Sequence, residues 1–196
     1  MLPSNEELVK KTQAGDSEAF AVIYQRYCGK ILGYICKYIG DYQKAEDLTN
    51  KVFMNAYSSI GMYKEEGAFE AWLYRIATNC AKRELHNIAV RKEVSFEKQL
   101  GKEGLEASIC LGDLIKDDRN RPDRNAEKKE LKEILYRAIL RLKTKYREVL
   151  LLCDMEELPY ATVARILKTS KVSVGVRLMR ARNLLRKSLH KFINEL

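Results

Sequence analysis

Apolar residues recur along the first half of the chain at steps of three and four. Phe20, Ile23, Tyr24, Tyr27, Ile31, Tyr34, Ile35 and Tyr38 trace one such stripe, the spacing that lines one face of an α-helix. Gly15-Asp16-Ser17 stands before it, where the glycine breaks an earlier helix and the two side-chain oxygens can cap the next. Gly40-Asp41 closes the stripe. Ala45, Leu48, Val52 and Ala56 then mark the buried line of a further helix, ending near Ser58. Beyond a loop with Gly61 and Gly67, a helix from about Ala68 to His86 is expected to bury Phe69, Leu73, Ile76, Ala77 and Cys80. Trp72 falls at the edge of that apolar face and is expected to pack into the core.

The periodicity fades between Glu93 and about Ala126. Gly101, Gly104, Gly112, Pro122 and the polar run 116–121 predict a flexible connector there. Helical spacing returns with Leu131, Ile134, Leu135, Ala138, Ile139 and Leu142, then Tyr146, Val149, Leu150 and Leu151. No stretch alternates as a strand does, and no segment repeats. The pattern predicts an all-α protein of two small helical domains, 1–91 and 127–196, joined by a flexible linker over 92–126.

The C-terminal domain carries a recognisable punctuation. Pro159 suits the start of a helix, where its missing N–H costs nothing. Val163, Ile166 and Leu167 are phased inward, and Ala164 is small enough for two helices to cross closely. Lys168-Thr169-Ser170 is the length of a tight turn, with Lys168 in a left-handed conformation and Ser170 capping the helix that follows. On that helix Val174, Leu178, Ala181 and Leu185 form an inward seam. Ser173, Val176, Arg177, Arg180 and Lys187 are phased away from it. An apolar seam behind a basic face is what a helix-turn-helix needs to lie in a major groove. Arginine there can grip a guanine edge or hold a phosphate.

Charge sharpens this picture. The chain of 196 residues has a net charge of +9, and residues 127–196 hold 17 Lys/Arg against 8 Asp/Glu. The final segment therefore carries the whole excess, the electrostatic footprint expected of a nucleic-acid partner. No apolar run approaches the length of a membrane span and the first residues form no export signal, so a cytoplasmic protein is expected. Five scattered cysteines without a CxxC pair, and only His86 and His190 as histidines, argue against a zinc site or a disulfide framework. They are expected to be small buried thiols. No metal or cofactor is expected. Nucleophile–base pairings, P-loop spacing and Rossmann glycines are also missing, so an enzyme is not expected.

Two longer stretches carry a family resemblance. The first joins Ala45-Glu46-Asp47-Leu48-Thr49-Asn50-Lys51-Val52-Phe53-Met54-Asn55-Ala56-Tyr57 to Phe69-Glu70-Ala71-Trp72-Leu73-Tyr74-Arg75-Ile76-Ala77-Thr78-Asn79. The second joins Leu142-Lys143-Thr144-Lys145-Tyr146-Arg147-Glu148-Val149 to the helix-turn-helix and Arg177-Leu178-Met179-Arg180-Ala181-Arg182. In this order they resemble the bacterial RNA polymerase sigma factors of the extracytoplasmic-function (ECF) type.

The resemblance implies a transcription initiation factor. It implies that Asp47, Asn50, Lys51 and Met54 dock on a coiled coil of core RNA polymerase. It assigns Arg75, Asn79, Lys82, Arg83 and His86 to opening and reading the −10 promoter element, with the loop from Ser59 to Gly67 holding a base flipped from the stack. It assigns the helix that carries Ser173, Val176, Arg177, Arg180 and Lys187 to the −35 element, read as duplex; Arg177 lies nearer the helix start than Arg180 and is expected to be the base reader. Promoter DNA, core polymerase and an anti-sigma factor are the implied partners. The family often carries Lys-Ser where this chain has Gly175-Val176, so a different sequence preference is expected. The other reading is an autonomous helix-turn-helix regulator, which ordinarily reads paired half-sites as a dimer.

Overall fold

A computed structural model of the chain describes residues 3–64, 68–96 and 125–193, and among them every regular element is helical. The first half holds α1 (Asn5–Gln13), α2 (Ser17–Ile39), α3 (Tyr42–Ser59), a 3-10 turn over Ile60–Met62 and α4 (Phe69–Phe96). The second half holds α5 (Asn125–Leu140), α6 (Thr144–Leu150), α7 (Tyr160–Ile166) and α8 (Lys171–Ile193). Helix α6 runs on into a π-helical turn over Leu151–Met155.

The helix ends follow from local chemistry. Ser4 and Glu7 close a capping box on α1. Asp16 and Asp41 accept backbone N–H groups at the starts of α2 and α3. Gly40 ends α2 at φ +83°, a conformation that costs an L-residue strain. A Cβ on Gly40 would also lie 2.6 Å from the Leu140 Cδ1 of the second half, where that side chain would have to yield, so the positive φ is what fixes glycine there.

The stripe on α2 is buried at Ile23, Tyr27, Ile31, Tyr34, Ile35 and Tyr38. Phe20 and Tyr24 instead line the edge of the cluster against Phe53 and Tyr57. Trp72 is buried against Tyr63 and Phe69, with ring centroids 5.2 and 5.6 Å apart. Ile76 and Cys80 are half-buried, whereas the sequence pattern placed them in the core. Cys36 is buried and Cys28, Cys80 and Cys153 are half-buried free thiols; Cys110 lies outside the described residues. Burial, with Asp154 beside it, pushes the Cys153 thiol up to about 11.

Helix α4 continues through Phe96, beyond the end expected near His86. No helix among the described residues is long and apolar enough to cross a membrane.

The two halves also pack on each other. Helix α7 lies on α4, and α5 and the π-helical turn lie on α2. Arg147 of α6 is buried in this seam and donates to the carbonyl oxygens of Tyr38 at 2.8 Å, Leu142 at 3.2 Å, and Leu140. Glu156, just after the π-helical turn, accepts from Lys37 at 3.1 Å and from the Tyr74 hydroxyl at 2.6 Å.

Candidate nucleic-acid interface

The helix-turn-helix is built as its sequence predicts. Helix α7 ends at Ile166, the Thr169 N–H reaches back to the Ala164 carbonyl at 2.9 Å, and the Ser170 hydroxyl accepts the Ser173 N–H at 3.1 Å. Lys168 takes a left-handed φ of +49° to make the turn. Val163, Ala164 and Ile166 are buried against Val174, Leu178 and Ala181 of α8, and Leu167 and Leu185 are half-buried at the rim of the same core.

From that seam α8 turns Val176, Arg180 and Lys187 to solvent, while Ser173 is half-buried beside its cap. The helix contains no acidic residue. Arg182 is anchored by Asp154 through two hydrogen bonds of 2.6 and 2.9 Å. The carboxylate favours the charged guanidinium and raises its pKa. This pair ties α8 to the π-helical turn, which sets the angle at which the basic face is shown.

Arg177 is placed differently from Arg180. It is half-buried on the flank of α8, with its Nη1 3.9 Å from Glu148. Glu148 is only 3% exposed, and its other oxygen lies 2.6 Å from Lys82 of α4. That contact is an ion pair without hydrogen-bond alignment, since Glu148 Oε2 has no directed partner. A carboxylate this deep persists only with cations against it. Tyr38 lies beside it, and its hydroxyl pKa is pushed up by burial first and by Glu148 second. One residue of the expected −10 set and one of the expected −35 set thus meet at a single buried carboxylate. Sequence phasing put Lys82 with Asn79 and Arg177 with Arg180, because phasing within one helix is blind to what another half of the chain brings against it.

Along α4 the remaining members stay accessible. Asn79, Arg83 and His86 are exposed, and Arg75 is half-buried. The loop before α4 begins as a 3-10 turn whose Ile60 and Tyr63 carbonyls are both held by the Gln13 amide, at 2.8 and 2.9 Å. The stretch 65–67 of this loop lies outside the described residues. On α3, Asp47, Asn50, Lys51 and Met54 are all exposed on the side away from Leu48 and Val52, and Met54 is 70% exposed. A bare methionine between polar groups suits a protein contact, since its flexible thioether adapts to a partner surface.

Comparison with known proteins bears on this pair of helical units. Residues 23–89 match the family model for sigma-70 region 2, and residues 132–185 match the model for sigma-70 region 4. The chain is 31% identical over 191 residues to the RNA polymerase sigma-H factor of Pseudomonas aeruginosa, covering 97% of this chain and 96% of that protein. It is likewise 30% identical to the ECF RNA polymerase sigma factor SigW of Bacillus subtilis, over 92% of this chain and 94% of that one. The chain belongs to the ECF sigma factors.

Among solved structures, the fold is shared with CnrH in complex with the cytosolic domain of CnrY. The TM-score is 0.65 at 22% identity, over 94% of this chain and 96% of CnrH. It is shared as well with the sigma factor RpoE in complex with the anti-sigma factor NepR from Bartonella quintana, at a TM-score of 0.66 and 18% identity, over 87% and 96%. As an ECF sigma factor the chain is a transcription initiation factor and not an enzyme.

Proposed function

We propose that residues 1–91 bind core RNA polymerase and open the −10 element, that 92–126 connect, and that 127–196 read the −35 element as duplex DNA. Asp47, Asn50, Lys51 and Met54 form the polymerase contact. Asn79 bonds an exposed base edge once the −10 bases unstack, with Arg75, Lys82, Arg83 and His86 holding phosphates beside it. Ser173, Val176, Arg177, Arg180 and Lys187 enter the −35 major groove. The solved sigma factor RpoE is in complex with the anti-sigma factor NepR, and we assign this chain a partner of the same kind.

The observation that carries the reading is the pairing of the two matched regions, in order, each with an exposed polar or basic helix face. Because Glu148 occupies Lys82 and Arg177 together, both must leave it before both elements are read. The packed arrangement of the halves is therefore a form that polymerase opens.

Two substitutions test the assignment. Asp47→Arg is expected to weaken core binding in a pull-down while helix content stays the same. Asn79→Ala is expected to reduce permanganate reactivity of unpaired −10 thymines, with recovery on a template already mismatched there. Unchanged core affinity for the first overturns the polymerase contact, and no recovery for the second overturns the role in strand opening.

A further inference from the structure

Helix α8 carries a second feature besides its cations. Val172, Val176 and Met179 are 75%, 40% and 59% exposed. They recur at i, i+4 and i+7, so they form one narrow row on the side opposite the Val174–Leu178–Ala181 seam. The row is about 10 Å long, roughly the rise of three stacked base pairs. Val172 stands in the first turn of the helix, the end that enters a groove.

Three large apolar side chains in water are unfavourable unless something apolar meets them. The occupant here has to be apolar along a line and anionic to both sides. Arg180 stands to one side of the row and Lys171 to the other, both exposed, Arg186 and Lys187 continue the cationic surface two turns further on, and no acidic residue stands anywhere on the helix. A groove on a partner protein would set apolar surface where these cations lie. The major groove of duplex DNA answers both demands, because thymine projects its C5-methyl group between two phosphate backbones.

We propose that Val172, Val176 and Met179 read thymine methyl groups in the −35 element, so that apolar contact supplies part of the sequence choice that the arginines supply elsewhere. The inference rests on the −35 assignment above. The Tyr160 ring of α7 stands 3.7 Å from where a Cβ on Gly175 would lie, an ordinary van der Waals distance, so α7 borders α8 at that position.

The test replaces thymine by uracil, which removes the methyl group and leaves every hydrogen-bonding group in place. Holoenzyme made from the full chain and core bacterial polymerase first selects its best −35 sequence from a randomised library. Each thymine of the selected element is then changed singly to uracil, and holoenzyme affinity is measured. At least one position is expected to lose about fourfold, the ordinary contribution of one buried methyl group. Among Val172→Ala, Val176→Ala and Met179→Ala, each with unchanged helix content, at least one is expected to erase each penalty.

Equal affinity for thymine and uracil at every position overturns the proposal. A penalty that survives in all three alanine variants overturns it as well. Core binding weakened by these variants, with the uracil penalty intact in the holoenzyme that still forms, assigns the row to a protein partner instead. Run-off transcription from the selected promoter separates this outcome from the broader one: transcripts without uracil sensitivity refute the methyl contacts alone, and no transcripts refute the −35 assignment.

Discussion

A guanidinium held by backbone carbonyls of Tyr38, Leu140 and Leu142 makes Arg147 a clamp between the two halves. Burial pulls its pKa down, yet arginine stays charged at any physiological pH, so the carbonyls must answer a full charge. Arg147→Ala leaves those oxygens without their donor in a buried seam. The variant is expected to lose about 2–4 kcal/mol, read as a lower urea midpoint with near-native helix content before the transition. A midpoint unchanged from the parent contradicts the clamp. Nothing in the sequence marked Arg147 or Glu148 as buried. Their neighbours Val149 and Leu150 were legible from spacing, but a charged residue in a buried phase is recognisable only once its partner is known. Those partners, Tyr38 and Lys82, lie in the other half of the chain.

At the scale of elements, most of the architecture could be read in advance. Stripe spacing, the glycines at 15 and 40, and the polar caps at Asp16 and Ser170 each act within one or two turns, and local chemistry is what a sequence displays. The turn of the helix-turn-helix was legible for the same reason, down to the left-handed Lys168. That residue offers a clean test. Lys168→Gly relieves the Cβ strain at φ +49°, offset in part by the freer unfolded chain, and is expected to stabilise the protein by about 0.5–1 kcal/mol. Thermal unfolding that shifts downward contradicts the assigned turn. What escaped was the end of α4, because no Gly or Pro before Gly101 stops it and apolar spacing no longer marks its course. The π-helical turn escaped too. It has no sequence signature here, yet it sets Asp154 on Arg182 and carries the chain on to Glu156, which meets Lys37 and Tyr74.

For the whole molecule, the decisive contact is Glu148 between Lys82 and Arg177. The two cations are partly exposed, so the pairing is screened by salt and weaker than its burial on the Glu148 side suggests. Glu148→Gln keeps the shape and removes the charge. Small-angle scattering is expected to give a larger radius of gyration for the variant than for the parent, and salt is expected to expand the parent toward it. Equal radii at all salt concentrations contradict the role of this carboxylate in holding the halves together. The candidate surfaces themselves were legible in the sequence, since exposure on α3, α4 and α8 follows helical phase. Their mutual occupation was not, because it depends on how two separately readable units meet. The central claim is that this chain confers promoter recognition on polymerase, and run-off transcription tests it most directly. Core bacterial RNA polymerase, with and without the chain, is offered a template library with a randomised promoter region. Discrete transcripts that appear only when both are present, from templates sharing two short elements at fixed spacing, are the predicted result. Transcription unchanged by the chain, together with tight binding of the chain alone to paired half-sites, contradicts it.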